Sequence, residues 1–306
     1  MAEARDAVVV AVTAMTEGAQ LLDVRWGLTD PPGAGRAAYR AGHLPGARFL
    51  DLEAVLTGPR ADPTLGRHPL PSPDRLTEGL RALGVDPGRP IIVYDLPRTF
   101  GAGRAWWVLR DAGLDVRVLD GGLPAWVAAG GTLEQGDGTA HGTPEQGDGT
   151  AHGTVEQGDG TAHGPPEPGD ASPEPTATEF TLTQGHLPVI NADEAAAWPG
   201  TLIDVRAPER FRGVVEPLDP KAGHIPGAIN RPIAHLWTAD GRLPGDQELR
   251  DFFGELADPV AVYCGSGVSA AQGVLALAAL GRTAALYAPS WSGWCADPDH
   301  PVAVGA

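Results

Sequence analysis

The sequence predicts an α/β protein built from two tandem copies of one domain, each a mostly parallel sheet flanked by helices. Three observations support this prediction. Short apolar runs typical of buried strands alternate with helix-like stretches in both halves of the 306-residue chain. Four landmarks occur twice in the same order, so the two halves share a fold. A low-complexity segment separates the copies and is expected to act as a flexible linker.

The four landmarks set the register between the copies. The pairs are L-L-D-V-R at 21–25 with L-I-D-V-R at 202–206, A-G-H-L-P-G-A at 41–47 with A-G-H-I-P-G-A at 222–228, I-I-V-Y-D at 91–95 with V-A-V-Y-C at 260–264, and 120–126 with 288–294. The offset falls from 181 for the first two pairs to 169 for the third. The first copy therefore has about 12 extra residues between its H-x-P-G turn and the next strand. In that turn proline presets φ and glycine takes a positive φ.

The linker has its own repeat, with the unit G-T-x-E-Q-G-D-G-T-A-H returning every 11 residues from position 131. Residues 131–175 carry nine acidic and no basic side chains, and the units lack the large apolar residues that stacked repeats need. His141, His152 and His163 return with the unit, which indicates repetition rather than a metal site. We predict a domain at 1–130, a flexible linker at 131–177 and a second domain at 178–306.

Composition excludes several classes of function. A net charge of −17 repels phosphate backbones, so nucleic acid is not an expected partner. No apolar run approaches the roughly 18 residues of a membrane span, and the acidic N-terminus is a poor signal peptide. Two cysteines are too few for a disulfide framework, which indicates a reducing compartment. We expect a cytoplasmic protein without a membrane partner.

The candidate nucleophile is Cys264, which directly follows an apolar strand-like run. Gly265 and Gly267 form a turn after it, and the Ala- and Leu-rich stretch that follows is long enough for a helix that Gly281 can end. Free N–H groups of the turn and of the helix start would converge on the sulfur and favour thiolate over thiol. The sequence therefore predicts an ionised sulfur nucleophile.

Three other interpretations of the same loop are possible. G-S-G-V-S-A fits a dinucleotide fingerprint, but residues 280–293 hold no acidic side chain to bind a ribose. A cysteine phosphatase would need an arginine at position 270, which is Ala270. The third interpretation is an inert buried cysteine, and the glycine-bearing strand-to-helix turn argues against it.

The first copy carries Asp95 where the second carries Cys264, so we predict that domain 1–130 is non-catalytic and 178–306 catalytic. His43 and His224 occupy the same turn in both copies. A histidine shared in this way more often holds the turn, unless the two copies pack so that one histidine faces the other copy's cysteine.

Together these motifs resemble the two-domain rhodanese sulfurtransferases. The loop formed by Cys264, Gly265, Ser266, Gly267, Val268 and Ser269 is similar to C-G-S-G-V-T of the 3-mercaptopyruvate branch. The thiosulfate branch has basic residues in this loop. The resemblance implies that Arg210 binds the anionic substrate, with Arg212 as a weaker candidate. The region E-P-L-D-P at 216–220 lacks the second substrate arginine of the mercaptopyruvate branch.

The resemblance also implies an activity. Cys264 would take sulfur from 3-mercaptopyruvate or thiosulfate as a persulfide and pass it to cyanide, a thiol or thioredoxin (EC class 2.8.1), with no cofactor and no metal. The family's proposed Ser–His–Asp relay would map to Ser266 and His43, which would place His43 among the substrate-binding residues, and no convincing acid precedes His43. The alternatives are a persulfide carrier that docks on a protein partner and a purely structural pair of domains, which the intact cysteine loop disfavours.

Overall fold

The computed structural model describes residues 2–97, 99–138 and 179–305. Within this part of the chain the strands are β1 Val9–Val10, β2 Gln20–Asp23, β3 Arg48–Phe49, β4 Ile91–Tyr94, β5 Val116–Leu119, β6 Thr201–Asp204, β7 Ile229–Asn230, β8 Val260–Tyr263 and β9 Ala284–Leu286. The α-helices are α1 Ala2–Asp6, α2 Ala34–Ala41, α3 Pro73–Ala82, α4 Gly101–Asp111, α5 Gly122–Ala128, α6 Ala192–Ala196, α7 Pro208–Phe211, α8 Asp246–Phe253, α9 Val268–Ala279 and α10 Ser290–Trp294. Short 3-10 helices lie at Val12–Ala14, Pro63–Leu65 and Ile233–His235.

The chain forms two sheets, and every strand pair in them is parallel. The first sheet has the order β1-β5-β4-β2-β3 and the second the order β7-β6-β8-β9. The repeated strands occupy equivalent places, since Asp23 pairs with Tyr94 in one sheet and Asp204 with Tyr263 in the other. The predicted fold class, two tandem α/β domains with parallel sheets, is confirmed.

The D-V-R landmark forms a buried ion pair in each domain. Arg206 forks onto Asp204 at 2.7–3.1 Å and donates to the Gly223 carbonyl at 2.6 Å. Arg25 makes the same contacts with Asp23 and the Gly42 carbonyl. Each pair therefore fastens a strand end to the residue just before the H-x-P-G turn, which explains why the two motifs recur together.

The two domains share one apolar core. Helix α4 of the first domain packs against α9 of the second, and residues of both helices belong to a single cluster of buried side chains. The helices approach closely at Gly103, where a Cβ would lie 2.3 Å from the Gln272 side chain. Helix α9, which begins at the cysteine loop, is therefore packed against the first domain.

The extra residues of the first copy also reach the second domain. We call residues 57–71 the bridging segment. Its Gly66 lies so close to the second domain that a Cβ would be 2.4 Å from the Pro289 carbonyl oxygen. The amide of Arg67 donates to Ser292 Oγ at 3.0 Å. The insertion inferred from the repeat offsets thus forms part of the domain interface.

The start of the linker lies on the first domain. Glu134 and His43 exchange backbone hydrogen bonds of 2.9 and 3.0 Å, and Arg40 pairs with Asp137 at 2.6 Å. The rest of the segment from residue 139, including His141, His152 and His163, lies outside the described residues. Among the helices that the structure describes, none has the length and apolar character to cross a membrane.

Candidate active site

Cys264 lies directly after β8, at the carboxyl end of the second sheet. The loop after it ends at Gly267, whose φ of 83° starts α9. A Cβ on Gly267 would lie 2.3 Å from the Ala288 carbonyl oxygen, so only glycine fits there. The predicted order of strand, cysteine, glycine turn and helix is confirmed.

The sulfur of Cys264 accepts a hydrogen bond from the Gly267 amide at 3.1 Å. The side chain is 1 % exposed, yet it lines a pocket of about 220 Å³ that the two domains share. The residues around this pocket are Trp26, Leu28, Arg67, Phe100, Val205, Arg206, Ala207, Arg210, Ile233, Ala234, Cys264, Gly265, Ser266, Val268 and Ser269. A small molecule in this pocket would contact the sulfur next to the guanidinium groups of Arg67, Arg206 and Arg210.

Ser290, at the start of α10, contacts Cys264 through its hydroxyl group. Its hydroxyl accepts the Cys264 amide at 3.1 Å, donates to the Tyr287 carbonyl at 3.0 Å, and lies 3.9 Å from the sulfur. Its φ of 56° is unusual for a residue other than glycine. Such strain persists where the surroundings impose it and is common at functional sites. Sequence reasoning missed this residue.

Most of the predicted site residues meet at the pocket. The loop residues Gly265, Ser266, Val268 and Ser269 line it together with Cys264 and Arg210. Gly267 contributes its amide to the sulfur. The hydroxyl of Ser266 has no hydrogen-bond partner in the part of the chain that the structure describes. Their catalytic and binding roles stay predictions.

His43 does not reach the pocket, so the expectation that it contacts substrate needs correction. It is fully buried in the first domain, stacked on Tyr39 with ring centroids 3.8 Å apart, and its Nδ1 lies 2.9 Å from the Tyr39 carbonyl oxygen. His224 stacks on Phe211 in the same way in the second domain. Both histidines hold their turns. The Ser266–His43 relay is therefore not assembled.

The histidine that does lie beside the pocket is His68. Its ring meets Trp26 edge-on at 5.2 Å, and Nε2 lies 3.1 Å from Glu53 Oε1. Burial, together with the neighbouring Arg104 guanidinium, lowers the pKa of His68 to about 3. His68 is therefore neutral at pH 7, with Nε2–H donating to the carboxylate, and its Nδ1 is buried with no hydrogen-bond partner among the described residues. His68 belongs to the bridging segment. The extra residues that the first copy carries there were the sequence signal that could have pointed to it.

The structure separates the two neighbouring arginines of the R-F-R-G motif. Arg210 lines the pocket and is held by Glu216 at 2.6 Å and Asp219 at 3.1 Å. Arg212 is exposed and lies outside the pocket lining. The segment that lacked a second arginine thus supplies the carboxylates that orient the first one.

Two further arginines at the site come from the first domain. Arg67 lines the pocket and pairs with Asp219. Arg104 on α4 is fully buried and donates to the Gly267 carbonyl at 3.3 Å from one nitrogen and to carbonyls of the bridging segment at 3.0–3.1 Å from another. Burial lowers the pKa of Arg104 to about 10, so it remains a cation at pH 7. Arg104 ties the cysteine loop to the bridging segment.

Charge at the site is largely internally compensated. Arg206 is saturated by Asp204, Glu216 and a backbone carbonyl, and its guanidinium lies 4.6 Å from the Trp291 ring. Within the described ranges no group of His, Cys, Asp or Glu has the arrangement of a metal site. The sulfur accepts one amide hydrogen bond and faces a pocket whose lining includes Arg67, Arg206 and Arg210.

Comparisons with known proteins identify the family of the chain. The family model for the rhodanese-like domain matches residues 10–129 and 190–297. SseB of Mycobacterium tuberculosis, which carries the name of a thiosulfate sulfurtransferase, is 42% identical over 293 residues, covering 93% of this chain and 90% of that protein. The 3-mercaptopyruvate sulfurtransferase of Escherichia coli K12 is 34% identical over 276 residues, covering 86% and 84% of the two chains.

A solved structure extends the likeness to three dimensions. The crystal structure of SseA from Escherichia coli, described as a 3-mercaptopyruvate sulfotransferase with the rhodanese fold, superposes with a TM-score of 0.71 at 31% identity, covering 92% of this chain and 98% of that one. The family resemblance drawn from the sequence is confirmed: the chain belongs to the rhodanese family of sulfurtransferases.

Proposed function

We propose that the protein transfers sulfane sulfur from 3-mercaptopyruvate or thiosulfate to a thiophilic acceptor through a persulfide on Cys264. One observation carries the proposal: the sulfur accepts an amide N–H at the start of α9 and lines a pocket shared with guanidinium groups. This arrangement stabilises a sulfur anion and admits a small anionic donor. Names of the relatives support both donors.

The first half-reaction breaks one bond to sulfur and forms another. With thiosulfate, the Cys264 thiolate attacks the outer sulfur, the S–S electron pair leaves with sulfite, and the enzyme keeps the sulfur as a persulfide anion. With 3-mercaptopyruvate, the C–S electron pair leaves as the enolate of pyruvate, which takes a proton. The loop amides then hold the persulfide anion as they held the thiolate.

In the second half-reaction the acceptor attacks the outer sulfur of the persulfide and the thiolate leaves. Cyanide gives thiocyanate and regenerates the enzyme without any other reactant. A small thiol or thioredoxin would give a persulfide on the acceptor. We place this reaction in the cytoplasm.

Arg210 is proposed to bind the carboxylate or sulfonate of the donor, because its Nη1 lies 3.4 Å from where a Cβ on Gly265 would stand. Ser266 has a free hydroxyl in the pocket for the departing enolate. His68 takes the place of His43 as the candidate histidine of the relay, because its ring contacts Trp26 of the pocket lining and its Nε2 lies 3.1 Å from Glu53 Oε1.

Turnover with cyanide and mass spectrometry test the proposal together. The purified protein is expected to form thiocyanate with at least one donor and, without acceptor, to gain the mass of one sulfur atom at Cys264. Replacing Cys264 with Ser should remove both signals. The matched control is Cys295→Ser, since Cys295 is also buried but lies outside the pocket lining.

The outcomes separate the candidate functions. A persulfide on Cys264 without turnover on either donor would favour the carrier. No sulfur adduct with any donor would refute the persulfide mechanism. If turnover occurs, comparing kcat/KM for thiosulfate and 3-mercaptopyruvate decides which of the two is the preferred donor.

A further inference from the structure

Arg67 is the feature of the pocket that the proposed chemistry leaves unused. It lies on the bridging segment of the first domain, and its backbone is held by two contacts. The amide donates to Ser292 Oγ at 3.0 Å, and the carbonyl accepts from Arg60 Nε at 2.6 Å. Arg67 thus belongs to the first domain, is anchored by contacts with both domains, and has its guanidinium group at the cysteine loop of the second.

The guanidinium group of Arg67 is only partly satisfied. Nη1 pairs with Asp219, whereas Nε and Nη2 are buried and have no hydrogen-bond partner in the described chain. Nη2 lies 3.2 Å from the position that a Cβ on Gly265 would take. Buried cationic donors without an acceptor are costly, so an arrangement that keeps them open indicates an anionic ligand.

Arg210 faces the same space from the second domain. Its Nη1 approaches the Gly265 position to 3.4 Å, and both arginines contact the Asp219 carboxylate. Asp219 therefore occupies one side of an anion site built from two guanidinium groups. Burial raises the pKa of Asp219 above its ordinary value, against the lowering effect of Arg67. This carboxylate is a poorly solvated internal anion next to the place where the donor must bind.

We propose that Arg67 is the second anion-binding arginine of the site, so that the carboxylate or sulfonate of the donor is held between Arg67 of the first domain and Arg210 of the second. The inference rests on the proposed donor chemistry and extends it. Asp219 orients both guanidinium groups and competes with the donor for them. The first domain, although it has no nucleophile, thereby contributes to substrate binding.

Steady-state kinetics of three variants test this assignment. Arg67→Met is expected to raise KM for thiosulfate and for 3-mercaptopyruvate by about 10- to 100-fold, because charge-assisted contacts are lost. The KM of Arg67→Lys should lie between those of Arg67→Met and wild type, because the lysine ammonium keeps the charge but cannot make the two-pronged contact of a guanidinium. Asp219→Asn should lower KM several-fold. The control is Arg40→Met, which removes an exposed arginine far along the chain on α2.

A binding experiment keeps this inference separate from the proposed function. Thiosulfate binding to Cys264→Ser, measured by calorimetry, should weaken by the same factor when Arg67→Met is added. A second readout is the discharge of a preformed persulfide by cyanide, which should change less than KM because no donor anion takes part.

The two ideas fail in different ways. Wild-type turnover with a KM that Arg67→Met and Arg40→Met change equally would overturn the role of Arg67 and leave it as an interdomain ion pair. Arg67-dependent binding of thiosulfate without any turnover would support the anion site and refute the donor chemistry. Should Arg67→Met fail to fold, the Arg67→Lys and Asp219→Asn shifts decide the question.

Discussion

The loops after β4 and β8 are equivalent by sequence register but hold different anions. After β4, the Asp95 carboxylate accepts the Ala102 amide at 2.9 Å and faces a void of only about 20 Å³. After β8, the Cys264 sulfur accepts the Gly267 amide at 3.1 Å and faces a pocket of about 220 Å³. In each loop an amide at the start of the following helix donates to the side chain of the residue after the strand. Among the described residues, only the second loop faces a pocket with room for a small molecule and with arginines in its lining.

The two loops also differ in the residue that packs against each of them. Gly122 and Ser290 stand at equivalent positions with the same φ of 56°. In the first domain glycine adopts this conformation at no steric cost, and a Cβ would lie 2.2 Å from the Asp95 carbonyl oxygen. In the second domain a serine tolerates the strain and places its hydroxyl on the Cys264 amide. The first loop therefore has no strained residue beside it and faces only a small void. The second has a strained serine beside it and faces a larger pocket.

Moving the nucleophile between the loops should have the largest effect. We expect Cys264→Ser to lower turnover by at least about 1,000-fold, in line with the loss of a nucleophile. Adding Asp95→Cys should not restore it, because the void beside Asp95 is small and the described residues around it include no Lys or Arg. Thiocyanate formation is the measurement. Recovered activity in the double variant would show that the amides suffice without the cationic pocket.

Arg104→Met should have the next largest effect, because one buried cation serves both domains. Its loss would leave the Gly267 carbonyl and those of the bridging segment without donors, and we expect at least about 3 kcal/mol less stability. Removing a positive charge near the sulfur should also slow alkylation of Cys264 by iodoacetamide at pH 7. Urea unfolding and alkylation rates check the two effects. Arg104→Lys, which keeps the charge, should alkylate faster than the Met variant.

Asp95→Asn should stabilise the protein in a pH-dependent way. Burial raises the pKa of Asp95 from 3.8 to about 6, so ionisation of the folded state costs free energy as pH rises from 3.8 through 6, and the cost is constant above. The amide avoids this cost while keeping an acceptor for the Ala102 N–H. We expect a gain of roughly 1–3 kcal/mol at pH 8 and little at pH 4. Equal effects at both pH values in urea unfolding would contradict this account.

Substitutions at Ser290 should have the smallest effect on stability and separate strain from hydrogen bonding. Ser290→Ala keeps the positive φ and leaves the Cys264 amide unpaired, which should cost about 1–2 kcal/mol. Ser290→Gly removes the strain as well, so its cost should be smaller by about 1 kcal/mol. Both should lower the alkylation rate of Cys264 if the hydroxyl positions the loop. Unchanged alkylation in both variants would leave Ser290 with a purely structural role.

Much of the architecture could be predicted because it depends on local patterns. The H-x-P-G turns form as expected, with φ values of 73° at Gly46 and 82° at Gly227. The D-V-R motifs form their ion pairs within a few residues of chain. The strand, cysteine and helix of residues 260–279 follow from apolar runs and one glycine. Each of these features is decided by neighbours along the sequence.

The sequence by itself determined that the chain holds two copies of one domain, and it predicted that the nucleophile is Cys264 of the second. Only the tertiary structure decided which cations line the pocket or hold the cysteine loop, and which histidine lies beside the pocket. The first domain contributes Arg67, His68 and Arg104. They lie near the cysteine loop because α4 packs against α9 and Arg104 of α4 binds the bridging segment by hydrogen bonds. His43 matched a motif but is enclosed within its own domain. The physical reason is that contacts across an interface depend on how two finished units pack, which no local pattern records.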